Sequence, residues 1–156
     1  QVAIDGLESL WDLAQAPQNR LIRATLPPLA GRDVLLIGNG ASDKELAFLR
    51  ERPRRLVYSD LSSNAARRTQ ARYDLRGYAD CLRFAAVDAE ALPFAPQSFD
   101  VLYGHAMVHH LPDVPRFLAG AVRCLRPGGM AVFMDDAFAP LWHYSKQTWL
   151  KPLMCY

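Results

Sequence analysis

Gly38 and Gly40 flank Asn39 directly after the apolar run 34–37, Val-Leu-Leu-Ile, and Asp60 stands twenty residues beyond Gly40. Four apolar residues suit a buried parallel strand. Glycines at its end let the backbone turn sharply and approach a ligand with no Cβ in between. Asp60 closes a second apolar run, 56–59, and is placed to accept hydrogen bonds from a ribose diol. Together these residues point to an adenosine-containing cofactor.

Residue 43 discriminates between such cofactors. A dinucleotide fingerprint wants a third glycine there, where the pyrophosphate meets a helix N-terminus. This chain has Asp43. A carboxylate in that first turn repels a pyrophosphate and already occupies the positive end of the helix. Ser42 and Glu45 have the spacing of a capping box, which satisfies the orphan amides internally. A nucleoside without phosphates fits better, and S-adenosylmethionine has an adenosine, an amino-acid tail and no phosphate. The bland alternative is a glycine turn between a strand and a helix in any doubly wound protein.

His105, His109 and His110 come just after a predicted strand at 99–103. A histidine there has the pKa to take a proton from a hydroxyl or amine near neutral pH. His105 is the better candidate base, because it should lie at a strand end. His109 and His110 more simply begin a turn, with one of them packed, and Tyr103 reads as a residue within the strand. Asp135 and Asp136 also follow a strand, where they orient a cationic acceptor, act as a base, or lie in a solvated loop. The aromatic stretch 138–150 suits core packing better than an acceptor pocket.

The elements that must position these groups follow from periodicity. Residues 6–15 put Leu7, Leu10, Trp11 and Ala14 on one helical face, and a second short helix over 18–26 stops at Pro27-Pro28. Strands are expected at 33–37, 55–60, 82–87, 99–103 and 130–134. A helix is expected over 43–51. Ser62 should cap another, with Ala65, Ala66, Thr69 and Tyr73 inward. A third starts at Asp113 and Pro115, with Phe117, Leu118, Ala121, Val122 and Leu125 inward, and ends at Pro127-Gly128-Gly129. Alternating strands and helices at this spacing mean βαβ units: a Rossmann-like, doubly wound, mainly parallel α/β sheet with helices on both faces. Ligands of such sheets sit at the carboxyl ends of the strands. Gly38 to Gly40, Asp60, Asp88 and Gly104 with His105 all fall there.

Composition bounds the rest. The 156 residues suit one domain, with helices in 1–30, a cofactor-binding core in 31–136, and the start of a C-terminal or substrate region in 137–156. Apolar residues make up 51% and charged residues 22%, as in an ordinary globular protein. A net charge of +2 is too small to argue for a nucleic-acid partner, and none is expected. The basic runs, Arg50 to Arg55 and Arg67 to Arg76, read as solvated faces. Cys81, Cys124 and Cys155 are too far apart for a metal site or a disulfide framework and read as reduced thiols in a cytoplasmic protein. No apolar run approaches membrane-spanning length.

In order and spacing, the motifs resemble the class I S-adenosylmethionine-dependent methyltransferases, especially the small-molecule, type 11-like group, over roughly residues 30–136. The matching stretches are VLLIGNGAS, VYSDLSSNA, VDAEALPFAPQSFDVLYGHAMVHHLPD and CLRPGGMAVF. The resemblance implies that Gly38, Asn39 and Gly40 pack their backbone on the methionine and ribose portion of the cofactor. It implies that Asp60 holds the ribose hydroxyls, with Leu61 beside the adenine. Asp88 then faces the adenine amino group, with the Ala89 amide near a ring nitrogen. Gly104 and His105 line the methionine side. Leu36 stands where the family often has an acid, and Ser42 where it has a further loop glycine. The family's sheet has two more strands after the fifth, so further residues or a second copy of the chain are expected against its edge. The Asn-Pro-Pro-Tyr motif of amino-methylating nucleic-acid enzymes is absent after residue 103.

The expected activity is methyl transfer from S-adenosylmethionine to a small molecule, driven mainly by proximity, with His105 or His110 as base where the acceptor needs one. No metal site is expected. The alternatives are an NAD(P)-dependent oxidoreductase, favoured by the glycine loop and Asp60, and a non-catalytic binding or scaffold domain of the same fold. On a rim, Asp60 is expected to contribute little to stability without ligand.

Overall fold

A computed structural model describes residues 16–40 and 44–134. Five strands form one parallel sheet in the order β3-β2-β1-β4-β5. These are β1 (Asp33–Ile37), β2 (Arg55–Asp60), β3 (Leu82–Ala86), β4 (Phe99–His105) and β5 (Leu125–Met134). Three α-helices accompany them: α1 (Ala16–Thr25), α2 (Ser63–Arg72) and α3 (Val114–Cys124). The order reverses between β1 and β4, the switch point where doubly wound sheets open a crevice. Both faces are covered. Ile22 of α1, Leu46 and Leu49 pack with Val34, Leu36, Leu56 and Tyr58 on one side. Phe117, Ala121 and Cys124 of α3 pack with Leu35, Ile37, Val57 and Leu102 on the other. Side chains alternate across a strand with a period of two, so each central strand feeds both cores and is apolar throughout.

The strand expectations at 33–37 and 55–60 hold to the residue. Several others need correction. The segment after the glycine loop is a 3-10 helix, Lys44–Glu51, rather than an α-helix. Ser62 occupies the N-cap of α2, but its hydroxyl makes no cap bond. Its backbone N–H donates to Asp60 Oδ1 instead. In α2, Ala66 and Thr69 are buried and Ala65 half-buried, while Tyr73, also half-buried, follows the helix at its extended C-cap. β3 stops at Ala86, one residue early, and β4 runs two residues further than expected, to His105.

The largest departure lies at α3 and β5. Phe117, Ala121 and Cys124 face the sheet, while Leu118 and Val122 are 44% and 71% exposed. Only one side of α3 meets the sheet, so the apolar stripe was read too wide. The helix ends at Cys124, and Pro127-Gly128-Gly129 lies within β5 rather than before it. There the β4–β5 register jumps from Phe99↔Leu125 to Val101↔Met130. The irregularity turns Phe99 toward α3, while Val101 and Tyr103 face the opposite core. The expected helix at 6–15, Ser42 of the capping box, Asp43, Asp135, Asp136, Cys155 and the aromatic stretch 138–150 lie outside the described residues. Among the described residues no helix is long and apolar enough to cross a membrane.

Candidate functional site

The parallel registers bring four strand ends to one rim. Ile37 of β1 pairs with Gly104 of β4, and Asp60 of β2 pairs with Ala86 of β3. The glycine loop therefore leaves β1 between Asp60 on one side and Gly104-His105 on the other, with Asp88 one strand further out.

Gly38 and Gly40 both adopt left-handed backbone, with φ of +67° and +56°. This conformation costs an L-residue about 1–2 kcal/mol. Their surroundings differ. A Cβ on Gly38 would come within 2.8 Å of the Cβ of Met107. A Cβ on Gly40 would meet nothing within 4 Å. So Gly38 is demanded by packing and Gly40 by the turn and whatever approaches it. Met107 also lies against Gly104, where a Cβ would sit 3.0 Å from its Cγ and 3.2 Å from Cδ1 of Phe133. Buried Met107 thus forms the floor beneath both glycine positions. Sequence reading missed it, because Ala106, Met107 and Val108 form a short apolar stretch among histidines with no periodicity to single one out.

Asp60 organises the loop. Its Oδ2 accepts from the backbone N–H of Gly40 at 2.6 Å, and its Oδ1 from that of Ser62 at 2.8 Å. A carboxylate has about four lone-pair sites, so each oxygen keeps capacity for a further donor such as a ribose hydroxyl. Asn39 is held from two directions: its N–H donates to Ser59 O at 3.2 Å, and its Nδ2 to Glu45 Oε2 at 3.1 Å. Glu45 is 4% exposed, so this bond fixes the loop against the first turn of the 3-10 helix. Leu61 is 75% exposed at the tip of β2.

Asp88 caps the 3-10 turn Ala89–Ala91, its Oδ1 accepting from the Glu90 N–H at 2.8 Å. Glu90 Oε1 accepts in turn from the Asp113 N–H at 2.5 Å, and Asp113 caps α3. Asp88 is exposed and Ala89 half-buried. His105 is the last residue of β4 and half-buried. After it the chain turns through Ala106, a non-glycine at φ +52° whose N–H donates to Met134 O at 2.7 Å. His109 and His110 sit in the 3-10 turn Val108–His110, ring centroids 4.0 Å apart, with His110 exposed. Tyr103 is a buried sheet residue edge-on to Phe48 at 5.2 Å, and burial, helped by the Glu45 charge, pushes its phenol pKa well up. It is no base. Among the described residues no group of three acids, histidines or cysteines is placed to hold a metal ion.

The rim can therefore take a ligand with a hydroxyl-bearing end at Asp60 and a body lying over Gly40, with an imidazole on the far side. A methyltransferase domain model matches residues 35–133. The phthiotriol/phenolphthiotriol dimycocerosates methyltransferase of Mycobacterium leprae is 38% identical over 116 residues, which is 72% of this chain and 40% of that protein. The ubiquinone/menaquinone biosynthesis C-methyltransferase UbiE of Paracoccus denitrificans is 31% identical over 151 residues, 92% of this chain and 56% of that one. The chain thus spans about half the length of the curated relatives it matches. An S-adenosylmethionine-dependent methyltransferase from Mesorhizobium loti has the same fold, with a TM-score of 0.68 at 24% identity over 86% of this chain and 57% of that one. With the match reaching from β1 to β5, the chain belongs to the methyltransferase-domain family and has the S-adenosylmethionine-dependent methyltransferase fold.

Proposed function

We propose that this domain binds S-adenosylmethionine at the carboxyl rim of the sheet and transfers its methyl group to a small-molecule acceptor. The observation that carries the reading is the Asp60–Gly40 bond beside the open space at Gly40. When bound, the cofactor supplies a methyl group activated by an adjoining sulfonium.

In this reading Asp60 accepts from the ribose hydroxyls, and its two backbone bonds hold the carboxylate in place beforehand. Gly38, Asn39 and Gly40 offer their backbone to the ribose and methionine portions. Leu61 covers one face of the adenine; Asp88 and the Ala89 amide meet its polar edge. Gly104 leaves room beside the methionine portion, and His105 borders it. Because the leaving sulfide departs neutral, no residue need protonate it. Holding donor and acceptor in line supplies most of the rate. An acceptor that attacks as an alcohol, phenol or amine must also lose a proton, and His105 or exposed His110 takes it. Relatives named for methylating phthiotriol and phenolphthiotriol dimycocerosates, and for ubiquinone and menaquinone biosynthesis, support a small organic acceptor over a nucleic acid. We place this activity in the cytoplasm, in keeping with the thiols of Cys81 and Cys124, which are unpaired and raised in pKa by burial.

Calorimetric titration with S-adenosylhomocysteine and NAD tests the reading. Expected is binding of the first and none of the second. Tighter binding of NAD overturns it in favour of an oxidoreductase. Product from a labelled methyl donor then separates an enzyme from a scaffold of the same fold.

A further inference from the structure

At the opposite, amino-terminal rim of the sheet, Arg54, Arg55, Arg83 and Arg126 line a shallow, open cleft of about 590 Å³ together with Asp33 and Asp80. Its size falls in the range that takes small organic ligands. It lies at the far ends of the strands from Gly40 and Asp60, so the proposed cofactor site does not use it.

The guanidinium groups come from three strands or their approaches. Arg54 precedes β2, Arg55 opens it, Arg83 is in β3 and Arg126 in β5. Arg54 and Arg126 are committed to Asp33: Arg54 Nε donates at 3.0 Å and Arg126 Nη2 at 2.7 Å. Arg126 Nη1 also reaches Asp100 at 2.8 Å. Arg55 is only partly engaged there, its Nη2 standing 3.6 Å from Asp33 Oδ2, and Arg83 bonds elsewhere. Arg55 stacks over the Phe99 ring at 4.8 Å and donates from Nη2 to Ser98 O at 2.8 Å. Its Nε is buried without a hydrogen-bond partner among the described residues. Arg83 donates from Nη1 alone, to the carbonyls of Ala79 and Leu82. Each guanidinium carries five N–H donors, so both retain donors for a ligand. A buried donor without an acceptor is costly; the Arg55 Nε is closed to solvent, so the donors left for a ligand are the other N–H groups of Arg55 and those of Arg83.

Four guanidinium groups stand here against Asp33, Asp80 and, behind Arg126, Asp100, which leaves one positive charge in excess. Donors converging from separate strands suit a tetrahedral group with three free oxygens better than a planar carboxylate with two. The cleft is larger than a bare phosphate needs, and Ala95 and Pro96 add an apolar wall.

We propose that this amino-terminal rim is a second ligand site, for a small phosphomonoester, with Arg55 and Arg83 as its donors and Arg54 and Arg126 as supporting charge. Titrating the chain with ribose 5-phosphate and with inorganic phosphate, against chloride at matched ionic strength, tests this. Expected is saturable binding of the ester, tighter than that of inorganic phosphate; phosphate binding as tightly as the ester reassigns the site to the free ion. Arg83→Gln and Arg55→Gln should each weaken binding at least tenfold, while Arg67→Gln and Arg116→Gln on exposed helical faces leave it unchanged. Circular dichroism confirms folding, and Arg55→Lys, which keeps the charge but not the fork, should recover only part of the loss. No saturable heat with either phosphate, or equal weakening by Arg67→Gln, overturns the proposal. The S-adenosylhomocysteine titration is a separate readout, so failure there leaves this result interpretable.

Discussion

Asp60 Oδ2 accepts the backbone N–H of Gly40 at 2.6 Å, closing a link across the β1–β2 crossover at the base of the glycine loop. With Ser62 N–H on the other oxygen, the carboxylate is both the proposed ribose acceptor and a structural brace. The sequence pattern suggested only the first role.

Asp60→Ala should therefore weaken S-adenosylhomocysteine binding by about 1–3 kcal/mol, the range for leaving polar partners unpaired. It should also loosen the loop before any ligand arrives. Hydrogen exchange at the Gly40 and Ser62 amides reads the second effect directly. Faster exchange with unchanged affinity would leave Asp60 as a brace only.

Asp33 gives a pH dependence. Burial raises its pKa, but hydrogen bonds from Arg54 and Arg126 and the charge of Arg55 outweigh that and hold it below the ordinary value. A group depressed in the folded state stabilises the fold above its unfolded pKa, about 3.9. That contribution is lost as pH falls through the lower folded value. Urea unfolding between pH 6 and 2 should show stability falling below about pH 4. Asp33→Asn should flatten that fall and cost about 1–3 kcal/mol at pH 7, because Arg54 is largely exposed and water screens it once unpaired.

The reassigned inner face of α3 is checked by two substitutions. Phe117 is fully buried and edge-on to Phe133 at 4.9 Å. Phe117→Ala should cost about 3–5 kcal/mol. Val122→Thr should stay within about 0.5 kcal/mol, as surface changes do. A large loss at Val122 would mean that its face is covered.

How much was legible in the residues follows from what each feature depends on. β1 and β2 announced themselves because strands buried on both faces must be apolar throughout. The four groups on the carboxyl rim followed from the predicted strands, since each lies within three residues of a strand end. The Asp33 cluster was hidden. Arg54 and Arg55 read as a solvated run, and Arg126 is 93 residues from its partner. Nothing local distinguishes such an arginine from one in water. The bulge between Phe99 and Val101 was equally silent, because Pro127-Gly128-Gly129 reads as a helix stop whether or not a strand contains it. Met107 went unnoticed because its role lies in the space above two glycines that only the fold brings together.

Gly38 and Gly40 supply the sharpest contrast for experiment. Both share left-handed backbone, so alanine at either strains the loop by about 1–2 kcal/mol. Gly38→Ala adds a contact of 2.8 Å with the Met107 Cβ, an atom that cannot swing away as a side-chain end does. It should lower the melting temperature clearly more than Gly40→Ala. Met107→Ala in the same background should not restore it, since alanine keeps that Cβ. Gly40→Ala meets open space, so its stability loss should stop at the backbone strain. Its methyl enters the region assigned to the cofactor, so S-adenosylhomocysteine affinity should fall by more than the stability does. Thermal unfolding and calorimetry on the two variants separate the outcomes. Equal stability losses would remove the Met107 floor from the account, and normal binding by Gly40→Ala would remove the loop from the site.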